Sequence, residues 1–230
     1  MEPFEGLPRP LEETPMTKSP SQGPQAHWQD VYQRKAADSV SWYRPHLETS
    51  LRLLGQVGLS STSRVIDVGS GASTLVDDLV TLGVAHVTVL DLSAHALSAA
   101  RARLGERGDQ VTWLPGDLLT TLLPQAGFDL WHDRAVLHFL TDAGDASRYA
   151  QQVAWALRPG GHAVIGGFAP DGPERCSGLT VARRSAEEVA ALLGPEFRLV
   201  DQFHERHITP GGTEQAFVWA LLRREAAKAW

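Results

Sequence analysis

Apolar residues in the middle of the chain switch between the period of a strand and the period of a helix. The run from Arg64 to Val68 is short and β-branched, which is the pattern of a buried parallel strand. A glycine turn follows, and leucines then recur at helical spacing over the next ten residues. The run from His86 to Leu90 repeats the strand pattern and ends at Asp91. The stretch therefore predicts a strand, a glycine-rich turn, a helix and a second strand.

The same two patterns continue towards the C-terminus. Ser93 is placed to cap an alanine-rich helix that ends at Gly105. Later segments predict strands at 111–114, 128–131, 162–168, 197–206 and 213–223, and helices at 146–157 and 185–193. Alternation of strands and helices indicates an α/β fold with a parallel sheet, and the turn at 209–212 joins the last two strands.

The N-terminal quarter has a different composition. Residues 1–25 are proline-rich and poor in apolar side chains, so we predict a disordered tail, with Met16 as a possible alternative start. Residues 26–58 predict a helical segment whose aromatic residues either close over a ligand as a lid or only pack the segment onto the domain. Residues 59–230 have the size of one α/β domain.

Charge and cysteine content narrow the class of protein. The formal net charge is −6 and no run of Lys or Arg appears, which disfavours a nucleic-acid partner. Cys176 is the only cysteine, so an internal disulfide is excluded, and a lone cysteine is more often inert than catalytic. No apolar run has the length needed to span a bilayer, and the acidic N-terminus is unlike a targeting peptide. We expect a cytoplasmic protein without membrane contact, either a monomer or a homodimer.

The glycine turn carries the first candidate site. A dinucleotide-binding turn has a third glycine at its sixth position, where this chain has Thr74. Asp67 stands two residues before Gly69, where it would repel a pyrophosphate but could hold an ammonium group. Asp91 at the end of the next strand could accept hydrogen bonds from both hydroxyls of a ribose. A ligand with an amino-acid end and a ribose fits best, and S-adenosylmethionine has both.

Four motifs in order and spacing carry a resemblance to a known family. The turn D-x-G-x-G-x-S at 67–73, Asp91, Gly116-Asp117 and the segment LRPGG at 157–161 resemble the class I S-adenosylmethionine-dependent methyltransferases, over roughly residues 60–168. The resemblance implies a seven-stranded, mostly parallel Rossmann-like sheet with helices on both faces and an antiparallel C-terminal hairpin. It also implies an S-adenosylmethionine site formed by Asp67, Gly69, Ser70, Gly71, Asp91, Leu92, Asp117 and Leu118, with Trp28 near the methionine part.

The end of the fourth strand is the second candidate site, because the transferred methyl is expected there in this fold. His132 and Asp133 are the predicted catalytic residues, either of which could act as a general base. Asp133 could instead steady the cofactor, and the Asp133-Arg134 pair resembles thiopurine and related thiol or chalcogen methyltransferases. His204 and His207 are predicted not to share a metal, since strand residues three apart face opposite sides.

Several functions remain open at this point. The leading interpretation is a methyltransferase that acts on an oxygen, nitrogen or sulfur atom of a small molecule. A protein substrate, with lysine as the acceptor, is the second, and an acidic pocket mouth would favour it. The other classes are an NAD-dependent oxidoreductase and a non-catalytic cofactor-binding module. No metal site is predicted.

Overall fold

A seven-stranded sheet forms the centre of the protein, for which a computed structural model describes residues 23–34 and 37–226. Most of the predicted disordered tail lies outside the described residues. The strands are β1 (Arg64–Val68), β2 (His86–Asp91), β3 (Val111–Pro115), β4 (Phe128–Arg134), β5 (Leu157–Phe168), β6 (Arg175–Cys176), β7 (Leu179–Thr180), β8 (Phe197–Ile208) and β9 (Glu214–Arg224). The helices are α1 (Pro24–Arg34), α2 (Glu48–Gln56), α3 (Leu75–Thr81), α4 (Ala94–Leu104), α5 (Ala143–Ala156) and α6 (Ala186–Leu193).

The strand order of the large sheet is β3-β2-β1-β4-β5-β9-β8. The first five strands are parallel, whereas β9 is antiparallel to both β5 and β8. The predicted mostly parallel sheet with an antiparallel C-terminal hairpin is therefore confirmed. The chain order reverses between β1 and β4, and an open α/β sheet binds ligands at the carboxyl ends of the strands where such a reversal occurs.

Helices cover both faces of the sheet, as predicted, because alternate strand residues point to opposite sides. On one face, Ile66 and Trp131 pack with apolar residues of α5 and α6. On the other face, Val65 and Leu130 pack with residues of α2, α3 and α4. A parallel sheet buried on both faces explains why its strands read as nearly continuous apolar runs.

Helix ends and one loop differ from the sequence prediction in detail. Ser93 caps α4 as predicted, since its side chain accepts a hydrogen bond from the Ala96 amide. Helix α5 begins earlier than the apolar pattern indicates, because Asp142 caps it. The predicted loop after β5 contains the short β6–β7 hairpin. In the part of the chain that the structure describes, no helix is long and apolar enough to cross a membrane.

Candidate functional site

The glycine turn between β1 and α3 adopts a backbone that ordinary residues avoid. Gly69 and Gly71 have φ angles of 59° and 53°, in the left-handed region that favours glycine. A Cβ on Gly69 would lie 1.9 Å from Cγ2 of Val136, and one on Gly71 would lie 2.0 Å from the hydroxyl oxygen of Tyr32. The turn therefore requires glycine at both positions for two independent reasons.

Asp91 holds this turn against the end of β2. Its Oδ2 accepts a hydrogen bond from the Gly71 amide at 2.8 Å, and its Oδ1 accepts one from the Ser93 amide at 2.7 Å. Burial raises the pKa of Asp91 to about 6, and the two backbone hydrogen bonds oppose that shift. Each carboxylate oxygen has a second acceptor position, so the backbone bonds orient the group without using its full capacity. Leu92, which follows it, is half-buried.

Two polar atoms of the turn are buried without a hydrogen-bond partner among residues 23–34 and 37–226. They are Oδ2 of Asp67 and Oγ of Ser70. A buried polar atom without a partner costs free energy, so these oxygens call for a group that the described part of the chain does not provide. An ammonium donor beside Asp67 fits this requirement, since the other oxygen of that carboxylate is already engaged.

The engaged oxygen belongs to a buried chain of three side chains. Oδ1 of Asp67 lies 2.7 Å from Nδ1 of His132, and Nε2 of His132 lies 2.9 Å from Oγ of Ser50. Asp67 and His132 are register partners on β1 and β4, and Ser50 comes from α2. All three are at most 2% exposed. Both ring nitrogens of His132 are used, so the geometry is suited to orienting Asp67, and the role of His132 as a general base remains a prediction.

Asp133 lies on the opposite face of the sheet from His132 and is fully buried. Its Oδ2 accepts hydrogen bonds from the hydroxyl of Tyr149 at 2.6 Å and from the Leu137 amide at 3.1 Å, while Oδ1 accepts one from the Val136 amide at 2.8 Å. Burial raises the pKa of Asp133 to about 6. These contacts show that Asp133 fixes the turn after β4, and its two predicted roles, as a base or as a cofactor contact, remain predictions.

The segment after β3 places one predicted residue at the surface and the other in the core. Asp117 is exposed, and its Oδ1 accepts a hydrogen bond from the Leu119 amide at 2.9 Å. The Gly116 amide donates to the Asp91 carbonyl at 2.9 Å, so Asp117 follows directly beside the end of β2. Leu118 is 5% exposed and packs against the core under the sheet. Its predicted place beside an adenine ring remains a prediction, which the burial of the side chain does not favour.

Helix α1 lies over the turn and over the start of α4. The Tyr32 hydroxyl stands above Gly71, and Oγ of Ser93 is 3.0 Å from Oε1 of Gln29. Burial, with a smaller effect of the Asp91 carboxylate, raises the pKa of Tyr32 above its ordinary value. Trp28 contacts the ring of Trp42 at 5.9 Å between centroids and the ring of Phe139 at 5.0 Å. The lid interpretation expects α1 in this position over the turn. The lid itself remains a prediction.

His207 ties the N-terminal segment to the C-terminal hairpin. Its Nδ1 accepts a hydrogen bond from Nε of Arg44 at 3.2 Å, and its Nε2 donates one to the Ser41 carbonyl at 2.7 Å. Burial lowers the pKa of His207, and the side chain is fully buried, whereas His204 is exposed. Within the described ranges no cluster of His, Cys, Asp or Glu could hold a metal ion.

A cavity opens beside the glycine turn, under the segment that His207 holds. Its lining includes aromatic, cationic and hydroxyl side chains, among them Tyr32, Trp42, Arg44, Thr74 and Arg134. Sequence reasoning did not identify Ser50, Gln29 or Tyr149 as part of this region. Their partners lie 16 or more positions away along the chain, and no local pattern marks them.

Comparisons with known proteins agree with this architecture. The profile of a family described as a methyltransferase domain matches residues 65–161. An uncharacterized methyltransferase of Mycobacterium tuberculosis is 32% identical over 104 residues, which cover 45% of this chain and 50% of that protein. A ubiquinone biosynthesis O-methyltransferase of Xylella fastidiosa is 28% identical over 190 residues, which cover 78% of this chain and 68% of that one.

One solved structure illustrates the similarity of fold. The N-methyltransferase NodS of Bradyrhizobium japonicum, in complex with S-adenosylhomocysteine, aligns with a TM-score of 0.65 at 21% identity. The alignment covers 87% of this chain and 100% of that one. The chain spans about half the length of the mycobacterial relatives that it matches.

Proposed function

The chain belongs to the class I S-adenosylmethionine-dependent methyltransferases, whose methyl donor is S-adenosylmethionine, and we propose that it methylates a small molecule. The observation that carries the proposal is the pair of unpartnered buried oxygens on Asp67 and Ser70 beside the glycine turn. They match the amino-acid end of this cofactor.

The residues of the turn and of β2 would hold the cofactor. Oδ2 of Asp67 is free to accept a hydrogen bond from an ammonium group, and His132 fixes the orientation of this carboxylate. The remaining acceptor positions of Asp91 suit ribose hydroxyls, and Ser70 supplies a further polar contact. The pyrophosphate of NAD fits less well, because Asp67 would add a negative charge beside it. An NAD-dependent oxidoreductase is therefore the weaker candidate.

The chemistry sets what the chain has to do. S-adenosylmethionine supplies an electrophilic methyl on a positively charged sulfur. The protein must hold the acceptor atom in line with that methyl and exclude water. The aromatic residues Trp28, Tyr32 and Trp42 form an apolar cover over the turn. This cover is suited to excluding water.

The charge around the cavity favours a small molecule over a protein lysine. Arg44 and Arg134 both line the cavity, and a lysine side chain would enter against two positive charges. The expected acidic mouth of a lysine methyltransferase is not present among the lining residues. Relatives with small-molecule names, such as the ubiquinone biosynthesis O-methyltransferase, support this choice. Two relatives named as eEF1A lysine and N-terminal methyltransferases, from Mus musculus and Bos taurus, are 24% and 26% identical over 59% and 61% of this chain.

The proposed cofactor site is tested by thermal unfolding with S-adenosylmethionine, S-adenosylhomocysteine and NAD in parallel. A ligand at one hundred times its dissociation constant adds about 2.7 kcal/mol of stability, which raises the melting temperature by roughly 5–10 °C at this size. We expect a rise with the first two ligands and none with NAD.

Variants of the two acidic residues make the test specific. Asp67→Asn and Asp91→Asn should each weaken S-adenosylhomocysteine binding by about tenfold, the equivalent of one charge-assisted hydrogen bond. Asp109→Asn is the matched control, because Asp109 is exposed and, among the described residues, its side chain pairs with Arg101 near the end of α4. Unchanged affinity in both Asp67→Asn and Asp91→Asn would contradict the placement of the cofactor.

A further inference from the structure

We propose that the methyl acceptor binds as an anion whose charge is placed on the guanidinium of Arg134. The inference rests on the proposed function and specifies its substrate class. Its basis is a half-buried cation in the cavity for which the described residues provide neither a carboxylate partner nor, nearby, a free base.

Arg134 is the last residue of β4, and it lines the cavity beside the glycine turn together with Ala72 and Ser73. Its Nη1 donates a hydrogen bond to the Trp42 carbonyl at 2.8 Å, and its guanidinium lies 5.6 Å from the ring centroid of Phe217 on β9. The rest of the group faces the cavity that it lines with Tyr32 and Thr74. One carbonyl and one aromatic face therefore fix the guanidinium, and its remaining donors are available to a ligand.

The charge of Arg134 is not balanced at close range. Between residues 37 and 226, no carboxylate lies within 4.0 Å of its guanidinium, whereas Arg44 has Glu205 at 3.7 Å. Burial lowers the pKa of Arg134, the charges of Glu205 and Asp67 raise it, and the charge of Arg44 lowers it. Burial of an uncompensated charge is costly. An anion in the cavity would compensate the charge of Arg134 and would therefore bind beside it.

The strand order assigns this anion to the acceptor. The glycine turn and Asp91, which suit the cofactor, stand at the ends of β1 and β2. Arg134 stands at the end of β4, lines the cavity beside the turn and contacts Phe217 of β9, so it lies between the glycine turn and the C-terminal strands. It borders an apolar cluster that contains Phe168, Cys176 and Phe217, with Phe139 packed against it. A cation at the edge of this cluster suits an anionic group attached to an apolar or aromatic body.

The groups around the end of β4 offer no general base for a neutral acceptor. Both ring nitrogens of His132 and both oxygens of Asp133 are already hydrogen-bonded. Burial lowers the pKa of His138 to about 3 and raises the pKa of the Cys176 thiol to about 11. A nucleophile that must lose a proton during the reaction finds no acceptor in this set. A nucleophile that binds already ionised needs none.

The reaction of such an anion is balanced without a base. An electron pair on the acceptor's oxygen or sulfur forms a bond to the methyl carbon. The bond between that carbon and the cofactor sulfur breaks, and its electron pair stays on the sulfur. The sulfonium becomes a neutral thioether, the acceptor becomes a neutral methyl ether, ester or thioether, and no proton is released.

The proposal is tested by titration calorimetry on the full chain saturated with S-adenosylhomocysteine. The probes are para-nitrothiophenol and para-nitrobenzoate, both ionised at the working pH, and the neutral para-nitroaniline, which keeps the same ring. We expect both anions, or the thiolate alone, to bind the wild-type protein at least tenfold more tightly than the aniline. The two anions also separate a thiolate acceptor from a carboxylate acceptor.

Variants assign the preference to Arg134. Arg134→Met should weaken the preferred anion by roughly ten- to a hundredfold, as expected for a charged hydrogen bond, and leave the aniline unchanged. Arg134→Lys should keep most of the preference because it keeps the charge. The control is Arg101→Met, an exposed arginine on α4 that pairs with Asp109. If Arg134→Met does not fold, two measurements still test the proposal: the comparison of the anions with the aniline on the wild-type protein, and the binding of the anions to Arg134→Lys.

Three results would overturn the inference. Equal binding of anions and aniline would show that charge does not select the acceptor. Loss of S-adenosylhomocysteine binding in Arg134→Met would move Arg134 to the cofactor. An anion preference that survives Arg134→Met would place the charge recognition elsewhere. Failure of the proposed function is distinguishable from all three, because the wild-type protein would then not bind S-adenosylhomocysteine at all.

Discussion

Replacement of Tyr149 by Phe separates a structural role of Asp133 from a catalytic one. The Tyr149 hydroxyl donates to Asp133 at 2.6 Å and accepts a hydrogen bond from Nε1 of Trp131 at 3.2 Å. Both partners are buried, and neither has a route to solvent, since each is at most 1% exposed. The substitution removes one oxygen atom and retains the ring that packs in the core.

The expected loss of stability follows from those two hydrogen bonds. A hydrogen bond to a charged group contributes about 1.5–3 kcal/mol, and a buried donor left unpaired adds about 1–3 kcal/mol. Since the two effects overlap at one hydroxyl, we expect a decrease in the free energy of unfolding of about 2–4 kcal/mol. For a domain of this size, that corresponds to a fall in melting temperature of roughly 5–15 °C.

The pH dependence of this loss gives a sharper test. Burial raises the pKa of Asp133 to about 6, above its ordinary value of 3.8. The ionised form is therefore disfavoured by folding, and this group's contribution to stability falls as the pH rises from about 4 to about 6. The Tyr149 hydrogen bond lowers this pKa, so Tyr149→Phe raises the pKa of Asp133 in the folded state. The pH range over which stability is lost then extends to higher pH. The destabilisation should then be larger at pH 8 than at pH 5.

Urea unfolding followed by tryptophan fluorescence at both pH values measures the effect, and calorimetry with S-adenosylhomocysteine measures the site. Tyr43→Phe is the matched control, since the Tyr43 hydroxyl has no hydrogen-bond partner in the described part of the chain, and a change within about 0.5 kcal/mol is expected. Unchanged stability of Tyr149→Phe together with impaired ligand binding would refute the structural assignment of Asp133.

Two further substitutions test the turn and its support. Gly71→Ala should abolish S-adenosylhomocysteine binding, because the added methyl would lie 2.0 Å from the Tyr32 hydroxyl at a φ of +53°. The control is Gly83→Ala, where φ is +76° and no atom lies within 4 Å of the added methyl. This control should lose only about 1–2 kcal/mol of stability and retain binding in the same calorimetric assay. Ser50→Ala should weaken that affinity about fivefold through the loss of one hydrogen bond to His132, and equal affinity in wild type and variant would contradict the orienting role.

Local patterns predicted the sheet and the glycine turn because strands, turns and caps depend on neighbouring residues. The partners of His132 could not be predicted in the same way, since Ser50 is 82 positions away. The strand period limits the prediction at β4. Adjacent residues on a strand point to opposite faces, so at most one of His132 and Asp133 can face a given reacting atom, in line with their prediction as alternative bases.

Leu118 shows a second kind of limit. Its position after Asp117 is compatible with both a ligand contact and a core contact, and a leucine satisfies either. The structure places it in the core because the turn that Asp117 forms with the Leu119 amide directs it inwards. The residue type at such a position does not indicate whether the side chain points towards a ligand or into the core.

The hydrogen bonds of His207 also determine when the cavity can form during synthesis. Arg44 and His207 are separated by 163 positions, and the ribosome releases the chain from its N-terminus. The five parallel strands can assemble on the ribosome before β8 and β9 emerge, because none of their mutual pairings involves the hairpin. The segment that carries Trp42 and Arg44 has to wait for that hairpin to be fixed in place. The glycine turn and its neighbouring strands can thus form first, and the cavity beside them is completed only after β8 and β9 have emerged.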